Sequence, residues 1–504
     1  MMQNSDLKSL DIYSGDTFDV SSCPNMDMAM FRERVLGGVA KGQRISALFG
    51  TATGDERIRV YCVLADDNAG HLGVLSSDVR GSYLALTPDC PQAHLFEREL
   101  FEQWGLVPEG HPWLKPVRFQ TPLCGDSPKA QPIGETDFFR LTGEEAHEVA
   151  VGPVHAGVIE PGHFRFQCHG ETVYHLEISL GYQHRGVERT MAGGPWPLTP
   201  HQMETLSGDT TLGHMGSYCR MIEDLAGISA PPRGQAIRGI AAELERMANH
   251  IGDIGAMSGD VGFLPTMSYC GRIRGDVLNM TAVLCGNRFG RGLVVPGGTA
   301  WDIDSRLCDN LLKRLDAVEK DATSAIELLF DTPSVLARFE NTGKVSLDDA
   351  RRIGLVGPAA RACGLGQDVR YQYPYGIYNY VTAQMYTWQS GDCFARAYIR
   401  WLEIQESIAF IREVMRALPS GETRQVWDGH MQHDRMSVSL TEGWRGEICH
   451  VAGTDSSGKL AFYKIVDPSF HNWFGLTLAL RNQQISDFPL CNKSFNLSYC
   501  GHDL

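Results

Sequence analysis

The chain has 504 residues, 43% apolar and 21% charged, and a formal net charge of −15 at pH 7. This length exceeds the size at which a single core stops growing, so we expect two domains of an ordinary globular protein. The acidic balance argues against a nucleic-acid partner, because phosphate recognition needs clustered Lys and Arg. No apolar run reaches the roughly 18 residues of a membrane-spanning helix. The polar N-terminus lacks the features of a secretory signal and predicts a cytoplasmic chain.

Four regions follow one another along the chain. Residues 1–28 are polar and aperiodic, which predicts a flexible N-terminal arm. Residues 29–122 alternate strand-like runs at 45–51 and 58–64 with a helical stretch at 92–104, which predicts a small α+β domain. Residues 123–148 are rich in Pro and Gly and predict a linker.

Residues 149–504 have the pattern of a large, mainly α-helical domain with flanking β structure. Strand-like runs occur at 162–167 and 173–181 and return near the end at 437–440 and 462–466. The helical patterns between them lie at 213–225, 236–255, 271–288 and 304–329. The predicted fold class of the whole chain is therefore α+β.

The 14 cysteines are scattered, and the closest pair, Cys491 and Cys500, is nine positions apart. Disulfide frameworks and zinc ribbons need regular or much shorter spacings. We therefore predict that no cysteine pair forms a local metal site.

A motif in the first domain runs from Phe96 to Pro112, where an acidic helix with Glu97-Arg-Glu99 leads into Gly110-His-Pro112. Taken alone it is a helix with its stop signal. It also resembles the signature of the connecting-arm subunit of respiratory complex I, the thirty-kilodalton type.

The second domain carries a long series of ordered landmarks. They are Gly152-Pro-Val-His155, Glu160-Pro-Gly-His163, Gly181 to Arg189, Glu243-Leu-Glu245-Arg246, Gly357 to Arg361, Asp368-Val-Arg370 and Arg445-Gly-Glu447. This series resembles the quinone-site subunit of complex I, the forty-nine-kilodalton type, and the large subunits of energy-converting nickel–iron hydrogenases. The fusion of the two modules is similar to the large subunits of formate hydrogenlyase-type complexes.

In the hydrogenases that this chain resembles, four thiolates hold the nickel–iron centre, two from a Cys-Gly-x-Cys motif and two from a Cys-x-x-Cys motif. Alignment on Glu243-Leu-Glu245-Arg246 places these four positions at Ser207, Thr210, Ser498 and Gly501. Because these soft ions need soft ligands, we expect no metal and no cofactor bound by this chain. The quinone-site tyrosine of complex I corresponds to Gly208, while its histidine has two candidates, His155 and His163. Quinone therefore stays a candidate ligand.

The resemblance also implies which titratable groups face the former active-site cavity. Glu160, His163 and Glu188 are the candidates for proton transfer, with His155, His184 and His214 beside them. The alternative is that these groups are core polar residues paired with Arg185, Arg189 or Arg361, since structural ion pairs often mimic functional sites. The resemblance also implies a role for three further residues. Hydrogenases place an arginine above the metal at the position of Arg445, and Arg361 and Asp368 lie on another loop that matches the family. Arg445 would bind an anion or carboxylate, or brace its loop.

The resemblance implies a peripheral-arm subunit of a membrane redox complex, on the cytoplasmic face of the inner membrane. It would form a coupling cavity for quinone or protons within an oxidoreductase of the NADH-quinone oxidoreductase or hydrogenase-4 type, without hydrogen chemistry of its own. The expected partners are a small iron–sulfur subunit of the twenty-kilodalton type that holds a cluster, a ferredoxin-like iron–sulfur subunit and antiporter-like membrane subunits. The second hypothesis is an architectural subunit that joins the small iron–sulfur subunit to the membrane arm.

Overall fold

The computed structural model describes residues 9–54, 56–123, 131–154 and 159–504. The first part of the chain forms β1 (Leu10–Ile12), β2 (Thr17–Asp19), α1 (Met28–Ala40), β3 (Arg44–Ala52), β4 (Ile58–Asp66), β5 (His71–Val79), β6 (Ser82–Leu84), α2 (His94–Trp104) and β7 (Val107–Glu109). The predicted strands near 45–51 and 58–64 are confirmed by β3 and β4. The predicted helix is confirmed by α2, which begins two residues later.

The first sheet has the antiparallel order β1-β5-β4-β3. Its strands are mostly apolar and buried, and α1 covers them through the buried side chains of Phe31 and Val35. Asp27 starts this helix, because its carboxylate accepts the N–H of Met30 at 2.9 Å. The core around this sheet continues into apolar residues near the C-terminus, such as Val438 and Phe470. The domain boundaries themselves therefore stay predictions.

The N-terminal arm differs from the expectation over its described part. Residues 10–12 form β1 on β5, and residues 17–19 form β2 on the strand Arg435–Gly443 of the second region, so the segment pairs with strands of both regions. Ile12, Phe18 and Met26 are buried. A strand of three residues has no periodicity of its own, and only pairing with a distant edge defines it.

The second region forms β8 (Ala146–Val151), β9 (His163–His169), β10 (Thr172–Ser179), α3 (Val187–Met191), α4 (Thr199–Met203), α5 (Thr211–Ala226), α6 (Pro232–Asp260), α7 (Leu264–Cys285), β11 (Val294–Val295), β12 (Gly298–Thr299), α8 (Ser305–Phe330), α9 (Pro333–Phe339), α10 (Leu347–Ile353), α11 (Gly357–Ala362), α12 (Val369–Gln372), α13 (Cys393–Arg416), β13 (Arg435–Gly443), β14 (Gly446–Thr454), β15 (Leu460–Val466), α14 (Pro468–Ala479), α15 (Phe488–Phe495) and α16 (Tyr499–Asp503).

Long helices form the centre of this region, with α6 packed between α7 and α13. The four predicted helical patterns are confirmed by α5, α6, α7 and α8. Helix α13 has no clear apolar period because Arg396, Arg400 and Glu403 interrupt it. These charged side chains are nonetheless buried. Arg400 and Glu403 form ion pairs, and Arg396 donates to the Gly391 carbonyl and the Ser494 hydroxyl, so polar partners replace the apolar face that a sequence pattern detects.

The second large sheet has the order β15-β14-β13-β2, and α5 lies against β13 and β14. This sheet supplies the β structure that the C-terminal alternation predicts, so the α+β fold class is confirmed. The tight connection between β13 and β14 pairs Gly443 with Gly446 and presents Trp444 and Arg445. Among the helices described, none combines the length and the apolar character needed to cross a bilayer.

Candidate functional site: a centre without thiolate ligands

Two segments that lie far apart in the sequence meet at the aligned ligand positions. Ser207 lies in the turn that precedes α5, and Ser498 lies at the start of α16. The hydroxyl of Ser207 donates a hydrogen bond to that of Ser498 at 2.9 Å, and both residues are buried. We call Ser207, Asp209, Thr210, Arg445 and Ser498 the centre.

Arg445 closes this centre from the β13–β14 connection. Its Nη1 and Nη2 donate to Asp209 Oδ1 and Oδ2 at 2.5 and 2.8 Å, and Nη1 also approaches Thr210 Oγ1 at 3.2 Å. Burial raises the pKa of Asp209, but the charge of Arg445 outweighs it, so that pKa lies below its usual value. Arg445 therefore binds a carboxylate of its own chain, one of the alternatives that the sequence left open.

The fourth ligand position, Gly501, has no room for a side chain. A Cβ built on Gly501 would lie 2.6 Å from Asp467 Oδ2, which is closer than such atoms approach. The Gly501 N–H instead donates to Ser498 Oγ at 2.9 Å, so that Ser498 caps α16. The neighbouring thiol of Cys500 is buried, which raises its pKa to about 11 and keeps it protonated at neutral pH.

These residues do not fit a nickel–iron centre. Such a centre needs four soft thiolates, whereas the aligned positions offer three neutral hydroxyls and one glycine. The two serine hydroxyls already bond to each other, and the guanidinium of Arg445 adds a positive charge where cations would bind. In the ranges that the structure describes, no three His, Cys, Asp or Glu side chains form a group that could hold a metal ion.

His214 lies behind the centre on α5 and is fully buried. Its Nε2 is 2.9 Å from Asp467 Oδ2, and its Nδ1 is 3.2 Å from Nε2 of His450 on β14. Asp467 and His450 were not found by sequence reasoning, and neither was Asp209. In the sequence, Asp209 is marked only by its place between two aligned ligand positions, Ser207 and Thr210.

Glu160 and His163 lie at the edge of the centre. The carboxylate of Glu160 accepts the N–H groups of Tyr499 and Cys500 at 3.3 and 3.4 Å, at the N-terminus of α16. His163 Nδ1 is 3.4 Å from the Gly152 carbonyl, and its buried Nε2 has no hydrogen-bond partner among the described residues. Burial lowers the pKa of His163. The other histidine candidate, His155, lies outside the described residues.

Glu188 takes part in a buried ion-pair network between the two regions. It accepts the Ile465 N–H at 2.9 Å and lies 3.1 Å from Lys464 Nζ. Lys464 Nζ also donates to both oxygens of Glu99 on α2, each at 2.7 Å, and Glu99 pairs with Arg118. The structural alternative named arginines as partners for these titratable groups, whereas the ion pair of Glu188 is with Lys464.

His184 and Arg185 line the rim of a large groove whose walls come from both regions of the chain. His184 Nδ1 is 2.7 Å from the Asp503 carbonyl, and Arg185 donates to the carbonyls of Thr205 and Leu206 at 2.8 and 2.9 Å. The groove has a volume of about 1290 Å³ and is lined by residues that include Gly50, Trp104, Glu188 and Lys464. We call it the interregion groove.

Arg361 and Asp368 lie in a separate buried ionic cluster. Arg361 pairs with Glu403 at 2.8 Å and with Glu442 at 2.9 Å, while Arg370 pairs with Asp368 at 2.7 Å. Arg246 joins this cluster to the β13–β14 connection through the carbonyls of residues 442 and 443. The cluster therefore braces the strand that leads to Arg445.

Comparisons with known proteins agree with the motifs. Residues 260–437 match the family described as the respiratory-chain NADH dehydrogenase 49 Kd subunit. The carbon monoxide-induced hydrogenase of Rhodospirillum rubrum is 30% identical over 351 residues, covering 69% of this chain and 97% of that protein. The chain therefore belongs to the family that comprises this complex I subunit and the related hydrogenase large subunits, and the resemblance predicted from the motifs is confirmed.

Two further relatives are similar to this chain over most of its length. Formate hydrogenlyase subunit 5 of Escherichia coli is 27% identical over 489 residues, covering 91% of this chain and 84% of that protein. The C/D-type subunit of NADH-quinone oxidoreductase from Bdellovibrio bacteriovorus is 27% identical over 410 residues, covering 75% of this chain and 73% of that protein. These relatives are subunits of complex I-like and hydrogenase complexes.

Proposed function

We propose that the chain is a peripheral-arm subunit of a membrane redox complex of the complex I and energy-converting hydrogenase type, and that it performs no nickel–iron hydrogen chemistry. The observation that carries this proposal is the centre itself, where Ser207 bonds to Ser498 and Arg445 bonds to Asp209. Family membership supports the role as a subunit of an oxidoreductase complex. The missing thiolates argue against hydrogen turnover by this chain.

In this proposal the interregion groove receives the small iron–sulfur subunit. Its volume of about 1290 Å³ and its lining of charged and aromatic side chains from both regions suit a protein partner more than a small ligand. Electrons then arrive from the cluster of that partner, and the chain forms the coupling cavity for protons or quinone. A ferredoxin-like iron–sulfur subunit and antiporter-like membrane subunits complete the complex at the cytoplasmic face of the inner membrane.

A second candidate function is purely architectural. The carboxylates of Glu160 and Glu188 bond to backbone N–H groups, and Glu188 also pairs with Lys464. These contacts stabilise structure without any proton transfer, so an inert subunit that links the small iron–sulfur subunit to the membrane arm would show the same geometry.

Metal analysis of the complex, purified through a tag on this chain, tests the first proposal. We expect iron from the partner subunits, which should copurify, and no nickel. Nickel in a 1:1 ratio to the chain would overturn the proposal, as would a chain that copurifies with neither iron–sulfur nor membrane subunits.

Turnover of the intact complex separates the coupling and architectural functions. Glu160→Gln keeps an acceptor oxygen for Tyr499 and Cys500 but cannot ionise, so it removes proton exchange while it preserves the cap. The coupling function predicts an assembled complex with reduced turnover. Glu171→Gln, at an exposed position, is the matched control. Unchanged turnover in Glu160→Gln would favour the architectural function.

A further inference from the structure

Four buried side chains form a continuous line of hydrogen bonds behind the centre. Asp467 Oδ2 lies 2.9 Å from His214 Nε2, His214 Nδ1 lies 3.2 Å from His450 Nε2, and His450 Nδ1 lies 2.8 Å from the Tyr463 hydroxyl. All four residues are buried, with both histidines fully enclosed. Both nitrogens of each imidazole are thus engaged.

The two ends of this line have different surroundings. Asp467 lies against Gly501, the position at which a metal-binding relative would carry a thiolate. Tyr463 belongs to the wall of the interregion groove. The line therefore runs from the wall of the groove to the back of the centre.

The hydrogen atoms of the line fit two protonation states. When both histidines are neutral, Tyr463 donates to His450, the Nε2–H of His450 donates to His214, and the Nε2–H of His214 donates to Asp467. When one proton is added, His214 is an imidazolium that donates to Asp467 and to His450. His450 then carries its proton on Nδ1 and donates to the oxygen of Tyr463.

We propose that Asp467, His214, His450 and Tyr463 form a proton relay that stores one proton between the interregion groove and the centre. The proton binds His450 Nδ1, the Nε2 proton of His450 moves to His214 Nδ1, and the resulting imidazolium pairs with the Asp467 carboxylate. One proton enters and no electron moves. Because His450 Nδ1 changes from acceptor to donor, the Tyr463 hydroxyl turns its own hydrogen away from His450. The neutral state satisfies every member of the line, which is the condition for a stable buried network.

Asp467 supplies the negative charge next to His214 in the line. Burial raises the pKa of Asp467, but the hydrogen bond from His214 and the charge of Arg445 outweigh it, so the carboxylate stays ionised. Burial, together with His214, holds the pKa of His450 well below its usual value. The other groups that face the line are Tyr218, Cys219, Cys449 and His471. Burial raises the pKa values of the first three and lowers that of His471 to about 4, so all four are uncharged at neutral pH.

Nitrogen-15 NMR of the purified full chain, labelled at histidine and recorded from pH 9 to pH 5, tests the storage directly. We expect His450 to move its proton from Nε2 to Nδ1 over the same pH interval in which His214 becomes an imidazolium. His450→Gln and His214→Gln assign the signals. His175→Gln, at a half-buried histidine on β10 with no contact to the line, should leave both signals unchanged. A His450 tautomer that stays constant while His214 gains a proton would overturn the relay.

The use of the relay in coupling rests on the proposed function, and the intact complex tests that separately. His450→Gln should lower turnover by about a hundredfold and remove the solvent isotope effect, whereas His175→Gln should change neither. The isolated chain could show the coupled change of His450 and His214 while the His450→Gln complex keeps normal turnover. That result would overturn the role in coupling but not the relay itself. If the complex contains nickel while the isolated chain shows the coupled change of His450 and His214, the proposed function is contradicted and the relay is not.

Discussion

The hydroxyl of Ser207 donates to the hydroxyl of Ser498 at 2.9 Å across 291 positions of sequence. The motif alignment predicts that metal-binding relatives carry thiolates at these two positions. The direct bond between Ser207 and Ser498 holds the two segments together, and the ion pair between Arg445 and Asp209 supports that bond from the side. The contact between the segments therefore depends on hydrogen bonds and an ion pair.

Gly501→Ala should destabilise the chain, because the added Cβ would lie 2.6 Å from the buried Asp467 carboxylate. We expect the free energy of unfolding in urea to fall by about 1–3 kcal/mol, the usual cost of overpacking a closed site. Gly271→Ala is the control, since a Cβ at this exposed position of α7 would meet nothing within 4 Å. That control should be neutral or stabilise the helix by up to about 1 kcal/mol. Equal effects of the two substitutions would contradict a tight contact at Gly501.

Loss of Asp209 and loss of Arg445 should lower the free energy of unfolding by different amounts. The side chain of Arg445 is 4% exposed, whereas that of Asp209 is 32% exposed. Asp209→Asn leaves a buried guanidinium without its counter-charge and should cost about 3 kcal/mol of unfolding free energy. Arg445→Met leaves a carboxylate that water can reach, so the free energy of unfolding should fall by only about 1 kcal/mol.

The double variant Asp209→Asn with Arg445→Met separates this explanation from a simple loss of packing. It removes both charges and should be more stable than Asp209→Asn alone. Additive losses in urea unfolding would show that the two side chains do not interact.

Much of the architecture could be predicted from the sequence, and the exceptions have physical causes. The apolar spacing of Leu311, Leu315 and Val318 predicts α8 because one face of that helix meets the core. Helix α13 has no such face, since Arg396, Arg400 and Glu403 occupy it, and only their distant partners make burial favourable. The motif alignment placed Ser207 and Ser498 together, because related chains fold alike.

The line from Asp467 to Tyr463 illustrates what the sequence could not provide. His450 and Tyr463 lie on neighbouring strands, β14 and β15, and His214 lies on a helix more than 200 positions earlier. A histidine on a buried strand has no local signal that distinguishes a relay from a packed core residue. The pairing appears only when α5 is placed on the second sheet.

Glu403→Gln should strongly destabilise the chain, because three cationic or hydrogen-bonding groups converge on this buried carboxylate. Arg361 lies 2.8 Å away, His250 lies 2.9 Å away and Arg246 lies 3.5 Å away. Loss of the negative charge leaves guanidinium groups uncompensated, at a cost of about 3–5 kcal/mol in urea unfolding. Glu413→Gln, the same change at an exposed position of α13, should alter stability by less than about 0.5 kcal/mol. A loss below about 1 kcal/mol for Glu403→Gln would show that Asp368 and Glu442 suffice to balance the cluster.

Lys464→Met should weaken the link between the two regions in a pH-dependent manner. Burial raises the pKa of Glu99, but Lys464 and Arg118 outweigh it and hold this pKa below the usual value of 4.5. A carboxyl whose pKa is lowered by folding contributes stability above its unfolded pKa, and that contribution is lost as the pH falls through the folded pKa. The unfolding free energies of wild type and Lys464→Met should therefore differ by about 2–4 kcal/mol at pH 7, and the difference should shrink below pH 4.5. Arg80→Met removes a pair whose side chains are 70% and 75% exposed, and it should have almost no effect at either pH. If the difference for Lys464→Met were constant from pH 7 to pH 3, its contribution would come from packing and not from its charge.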